Sequence, residues 1–161
     1  MGNLRARLAR GQRLLGLDPG ARRVGVALSD VSLTIATPAA TLPRGKLGAL
    51  AAALRPLVAK EGVGGLVVGL PLSMDGSFGP AAQAARDFAR ALAAALDLPW
   101  AMFDERLSSA AVNRALISEA DATRARQARL VDSMAAAYML QAALDTSTPP
   151  IFTLDASEPS P

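Results

Sequence analysis

Short apolar runs broken by glycine and proline alternate with alanine-rich stretches of helical period, and this alternation predicts an α/β domain. The run RLLGLDPG reads as a buried strand over residues 13–18, stopped by Pro19 and Gly20. Residues 24–29 read as its hairpin partner. A third short strand over 32–36, after a tight turn at Asp30, would complete three successive antiparallel strands. Residues 47–60 have the spacing of a long helix, with Pro56 placed to kink or break it.

The second half repeats a strand-then-helix rhythm. GLVVGLP is a short, fully apolar strand, and the glycine-rich loop SMDGSFG runs into Pro80, a favourable first residue for a helix over 81–96. Residues 99–103 make a fifth strand. Ser108 or Ser109 can cap a further helix to about residue 118, and the polar stretch 119–126 separates it from a last helix over 127–144. The expected architecture is a five-stranded mixed sheet, three strands antiparallel and then two parallel, with helices on both faces. Residues 1–12 would be a basic, solvated arm, 13–145 the folded domain, and 146–161, rich in Pro, Ser and Thr, a disordered tail that adds nothing to the core.

At 161 residues the chain has the length of one ordinary domain. No apolar run approaches the roughly eighteen residues of a membrane span, so a soluble, cytoplasmic protein without membrane contact is expected. The segment MGNLRARLARGQR has four arginines and no acid, which suits a surface-binding arm or a presequence, but it lacks the apolar core of a secretory signal. Position six is Ala6, so the MG start does not fit the myristoylation pattern.

Composition narrows the chemistry. Without cysteine there is no disulfide, thiolate nucleophile or Cys-ligated metal, and without histidine there is no imidazole base. Catalysis must rest on carboxylates, hydroxyls, Lys, Arg, Tyr or a hard cation held by oxygens. The formal charge of +3 and a pI near 10.2 permit an anionic partner. Fifteen of the 17 basic residues are Arg, against Lys46 and Lys60; this suits bidentate phosphate contacts but equally follows from a GC-rich genome.

Three acids stand out. Asp18 ends a strand otherwise made of Leu14, Leu15, Gly16 and Leu17, where a carboxylate loses hydration and needs a partner; the alternative is an Asp that starts the Pro19-Gly20 turn. Asp132 shares a helix face with Ala135, Ala136 and Met139, so its carboxylate faces inward and calls for a metal or for an ion pair with Arg126 or Arg129. Glu105 follows the fifth strand at the carboxyl end of the sheet, where open α/β folds place their sites. Strand alternation sends Asp104 to the other side, and Glu105 could instead pair with Arg106 or cap the next helix.

Arg22, Arg23, Arg44, Arg124, Arg126 and Arg129 fall in loops or at helix starts, where they could hold a nucleic-acid backbone or simply be solvated. Four Phe, one Tyr and one Trp are too few for a stacking platform, so phosphate contacts would dominate binding. The loop SMDGSFG could offer N–H groups to a phosphate but lacks the GK[ST] ending of a nucleotide P-loop.

Taken together and in order, GLDPGARRVGVALSD, VVGLPLSMDGSFG, FDERLSS and LVDSMAAAYMLQ resemble the YqgF/RuvX family of Holliday junction resolvases and ribosomal-RNA-processing nucleases, over residues 13–144. The resemblance implies an RNase H-like fold. It also implies a divalent-metal-dependent nuclease in which Asp18, Glu105 and Asp132 are the catalytic and metal-holding residues, Mg2+ or Mn2+ is the cofactor, and RNA, branched DNA or both are substrates. Arg22, Arg23, Arg124, Arg126 and Arg129 would then contact nucleic acid. Two carboxylates ~4 Å apart repel by about 4 kcal/mol at an effective dielectric of ~20, so such a cluster asks for a cation.

Two positions depart from the family's usual loop, Ser73 where Asn is common and Phe78 where Glu is common, and neither is one of the three acids. Strands one and five would lie about 10 Å apart across two ladder spacings, so Glu105 must lean inward, with Asp75 as its understudy. Three functional alternatives remain at this stage: cleavage of ribosomal RNA precursors or of four-way junctions, RNA binding without cleavage, and an actin-like ATPase lobe. Junction cleavage needs two symmetric cuts and a homodimer, whereas RNA trimming needs one site and a monomer. The ATPase would take two such lobes, and this chain has the length of one.

Overall fold

The computed structural model describes residues 2–71, 75, 77, 79–107, 124–146 and 152–154. Six strands form one sheet in the order β3-β2-β1-β4-β5-β6, namely β1 (Arg13–Pro19), β2 (Arg23–Ser29), β3 (Ala36–Pro43), β4 (Val63–Leu70), β5 (Trp100–Asp104) and β6 (Phe152–Leu154). The first three pair antiparallel, β1–β4 and β4–β5 pair parallel, and β6 runs antiparallel to β5. The described helices are α1 (Gly2–Arg7), α2 (Leu47–Glu61), α3 (Pro80–Leu96) and α4 (Arg124–Asp145), with a 3-10 turn over Glu105–Leu107. The helix expected over 108–118 lies outside the described residues.

All eight residues of β4 are buried, because both faces of the sheet are covered. On one face Leu15, Leu17, Val26, Leu66, Val68 and Met102 pack against α2 and α3 through Leu50, Leu54, Ala89 and Leu92. On the other, Leu14, Ala27, Val67, Ala101 and Phe103 meet Ala136, Met139, Leu140 and Ala143 of α4. Small residues allow a close approach there: a Cβ on Gly16 of β1 would stand 2.9 Å from the Cβ of Leu140.

Four expectations change. The third strand starts at Ala36, because residues 32–35 serve a turn around one carboxylate. Asp30 accepts hydrogen bonds from the Ser32 and Thr34 hydroxyls and from the Thr34 and Ile35 N–H groups, with Leu33 at φ 57°. Those bonds hold the Asp30 carboxyl far below the usual carboxylate range, the Ser32 hydroxyl first among them. Pro38 and Pro43 obscured the strand in the sequence, and an edge position tolerates both.

Pro56 does not break α2. It sits on the exposed face, and the helix runs on to a left-handed cap at Gly62. The tail is not wholly outside the fold, since Phe152–Leu154 pairs with Trp100–Met102. The basic N-terminal segment is helical over Gly2–Arg7. Leu4 is fully buried against the α4 side of the sheet, and the Arg5 guanidinium donates to the Leu144 carbonyl at 2.5 Å.

Candidate active site

Asp18 stands at the carboxyl end of β1 and is buried, 7% exposed. It shares strand parity with Leu14 and Gly16, both facing α4, so its side chain belongs to that face. Its cross-strand partner is Gly25 of β2. A Cβ on Gly25 would come 2.5 Å from the carbonyl carbon of Asp132 and 3.3 Å from the N of Ser133. Paired residues have Cα atoms about 5 Å apart. The backbone of Asp132 is therefore pressed onto the residue directly beside Asp18.

Glu105 approaches from the other side. Leu17 pairs with Val68, and Phe103 with Gly69, so Gly69 lies between the ends of β1 and β5. Glu105 opens the 3-10 turn just after β5 and lays its side chain back over Gly69: a Cβ there would stand 2.5 Å from its Oε1 and 3.1 Å from its Cγ and Cδ. Glycines 25 and 69 thus make the room in which residues from three elements approach one end of the sheet on one face.

The pairings differ from those expected. Among the described residues Asp132 pairs with Arg23 and not with Arg129: its Oδ2 accepts from Nε of Arg23 at 2.6 Å, across 109 positions of sequence. The Arg106 guanidinium turns to Asp104, with NH2 2.6 Å from Oδ2 and Nε 3.0 Å from Oδ1. That contact holds the Asp104 carboxyl below its ordinary value against the opposing effect of burial, and raises Arg106. Asp75 is committed to its own loop, accepting from the Ser77 N–H at 2.9 Å; bonds from Ser77 lower its pKa, with the Arg106 charge a lesser cause.

Arg22 and Arg23 are exposed where the β1–β2 turn enters β2, and Arg129 is exposed one turn before Asp132, its carbonyl accepting from the Thr41 hydroxyl at 2.6 Å. Arg124 and Arg126 lie in the first turns of α4, and their side chains lie outside the described residues. The Arg44 guanidinium donates to the Gly20 carbonyl at 2.7 Å and lies over the Phe88 ring at 5.1 Å.

The donor set fits a hard divalent cation in chemistry, being all carboxylate oxygen, and in placement, because the Gly69 hollow admits the Glu105 carboxylate where any larger residue would fill it. It is not drawn together: among the described residues no three of His, Cys, Asp and Glu are gathered within reach of one metal. Reading the sequence missed Arg23 as the partner of Asp132, since nothing local joins the two. Glycine inside VGV and VVGL was the available signal, because a strand-interior glycine marks close approach of another group.

The sequence profile of RuvX, described as Holliday junction resolvase, matches residues 12–146. A protein of Gluconacetobacter diazotrophicus named "Putative pre-16S rRNA nuclease" is 63% identical over 147 residues, covering 91% of this chain and 96% of the relative. One of the same name from Gluconobacter oxydans is 59% identical over 147 residues, covering 91% and 92%. Among solved structures, T. thermophilus RuvC in complex with a Holliday junction substrate shares the fold at a TM-score of 0.53 and 13% identity, covering 87% of this chain and 99% of that one.

Proposed function

The chain belongs to the RuvX family of Holliday junction resolvases, and from that membership we propose a divalent-metal-dependent nuclease that hydrolyses phosphodiester bonds in structured nucleic acid. Precursor 16S ribosomal RNA is placed first among its substrates and four-way DNA junctions second, in line with the names its relatives carry. The observation that carries the reading is the approach of Asp18, Glu105 and Asp132 to one end and one face of the sheet, over two glycines that leave room for them.

In this reading the three carboxylates hold magnesium or manganese. A cation bound there would supply Lewis acidity, for activating water near neutral pH and for offsetting charge on the leaving oxygen. The chain supplies the rest. Asp18, on a rigid inner strand and largely shielded from water, fixes one side of the centre. Glu105 reaches in from β5, and Asp132 brings the third acid on α4. Arg22, Arg129 and the first turns of α4, with Arg124 and Arg126, lie on the approach to these acids and hold the phosphate backbone. Trimming an RNA needs one such site, so the working unit is a monomer; paired cuts in a junction would take a homodimer. No helix among the described residues is long and apolar enough to cross a membrane, and a cytoplasmic place of work belongs to the same proposal.

The test is cleavage of a labelled ribosomal RNA precursor and a labelled four-way junction, with magnesium, manganese or chelator, by wild type and Asp18→Asn. Metal-dependent cutting that disappears in Asp18→Asn is expected. Full activity in the variant would refute the assignment, and no cutting of either substrate by wild type would move the protein to RNA binding without cleavage.

A further inference from the structure

Resting on the metal-dependent reading, we propose that Arg23 is the resident counter-cation of Asp132: it occupies this carboxylate until a divalent cation displaces it, and so sets the metal affinity of the site. The contact is short and charge-assisted, Nε to Oδ2 at 2.6 Å, and it joins the first residue of β2 to the helix that carries the third acid. Its exposure makes it exchangeable. The two side chains are 45% and 22% exposed, so water can take over each partner as the pair opens, unlike a buried pair whose separation strands a charge.

The pairing also accounts for why, among the described residues, no three acids are gathered within reach of one metal. A guanidinium on Asp132 satisfies by hydrogen bonding the charge that a cation would otherwise satisfy by coordination. The backbone of α4 is already fixed against Gly25, so recruiting Asp132 requires a change of partner and not a movement of the helix. Once released, the guanidinium of Arg23 remains within a side chain's length of the site, free to meet a phosphate oxygen. Its contact with nucleic acid is therefore conditional on metal. By linkage, metal and nucleic acid strengthen each other's binding through this residue.

The experiment is calorimetric titration of metal-free protein with Mn2+, without nucleic acid, on wild type, Arg23→Gln, Arg22→Gln, Asp132→Asn and the Arg23→Gln/Asp132→Asn pair. Circular dichroism confirms that each variant is folded. Arg23→Gln is expected to tighten Mn2+ binding about fivefold, the equilibrium factor corresponding to an exposed ion pair at the upper end of its usual range. Arg22→Gln removes the same charge one residue away and should change it less. With Asp132→Asn in place, Arg23→Gln should add no further tightening. A purely structural Arg23 would leave affinity unchanged or weaken it on substitution. Wild type that binds Mn2+ with no tightening in Arg23→Gln, or with tightening equal to that in Arg22→Gln, overturns the exchange and leaves the nuclease reading standing. Absence of binding in every form overturns both.

Discussion

Gly69→Ala separates the stability of the fold from the geometry of the site. The new methyl carbon would start 2.5 Å from Oε1 of Glu105, and ordinary contact begins at 3.4 Å, so the carboxylate must retreat by about 0.9 Å. What it meets is the far end of a flexible side chain, which can swing away without disturbing the sheet. The fold should not suffer. Gly69 does not have a positive φ, and Ala restricts the unfolded chain, so stability should hold or rise by about 0.4–1 kcal/mol. Activity should fall about 100-fold, the usual order for an angstrom-scale misplacement of a catalytic group.

Gly25→Ala is the contrast. There the methyl would meet backbone, 2.5 Å from the carbonyl carbon of Asp132, which cannot swing aside. It should lift α4 at a cost of about 1–3 kcal/mol, as other overpacked cores do. Urea unfolding and initial cleavage rates at saturating manganese measure the two quantities. Gly69→Ala with wild-type stability and wild-type rate would refute the placement of Glu105 in the catalytic centre.

Other consequences follow from single contacts. Arg106 holds the Asp104 carboxyl below its ordinary 3.8, so the stability this pair gives is fully present above about pH 4 and is lost as pH falls through the lower folded value; Asp104→Asn should flatten that limb of a stability-versus-pH curve. Asp30→Ala should lower Tm, read by circular dichroism, because four hydrogen bonds that close the β2–β3 turn converge on that carboxylate. Chelator should abolish cleavage, and added manganese should restore it without refolding. If Arg129 contacts phosphate as proposed, Arg129→Gln should weaken nucleic-acid binding and reduce its log–log salt slope by about 1, read by titrations at several salt concentrations.

The inner strands and the long helices were legible because their signals are local: RLLGLD and GLVVGL are apolar runs closed by Pro or Gly, and Pro80 marks the start of α3. Edge elements were not. β3 reads ATPAATLP, which looks like loop because an edge strand can carry prolines and small residues that an inner strand cannot. β6 is three residues inside a Pro- and Ser-rich tail, and its partner, β5, is only visible in space. Leu4 was hidden among arginines, and its burial depends on the space beside Leu14 that Gly65 of β4 leaves open.

The same division holds at the site. Asp18, Glu105 and Asp132 were each marked by a carboxylate in an apolar or strand-end setting, and the family's motifs joined them. Their neighbours depend on pairings across the sheet: Gly25 opposite Asp18, Gly69 beneath Glu105, and Arg23 on Asp132. Arg129, the described arginine nearest to Asp132 in sequence, is not the one that pairs with it. Helical spacing alone does not show which of several cations in reach a carboxylate will take.

The most direct test of one metal centre built from three elements is an anomalous difference map from a manganese-soaked crystal. A peak bounded by the carboxylates of Asp18, Glu105 and Asp132, with Arg23 turned away from Asp132, is predicted. A manganese peak elsewhere, or none at a concentration that supports cleavage, would contradict it.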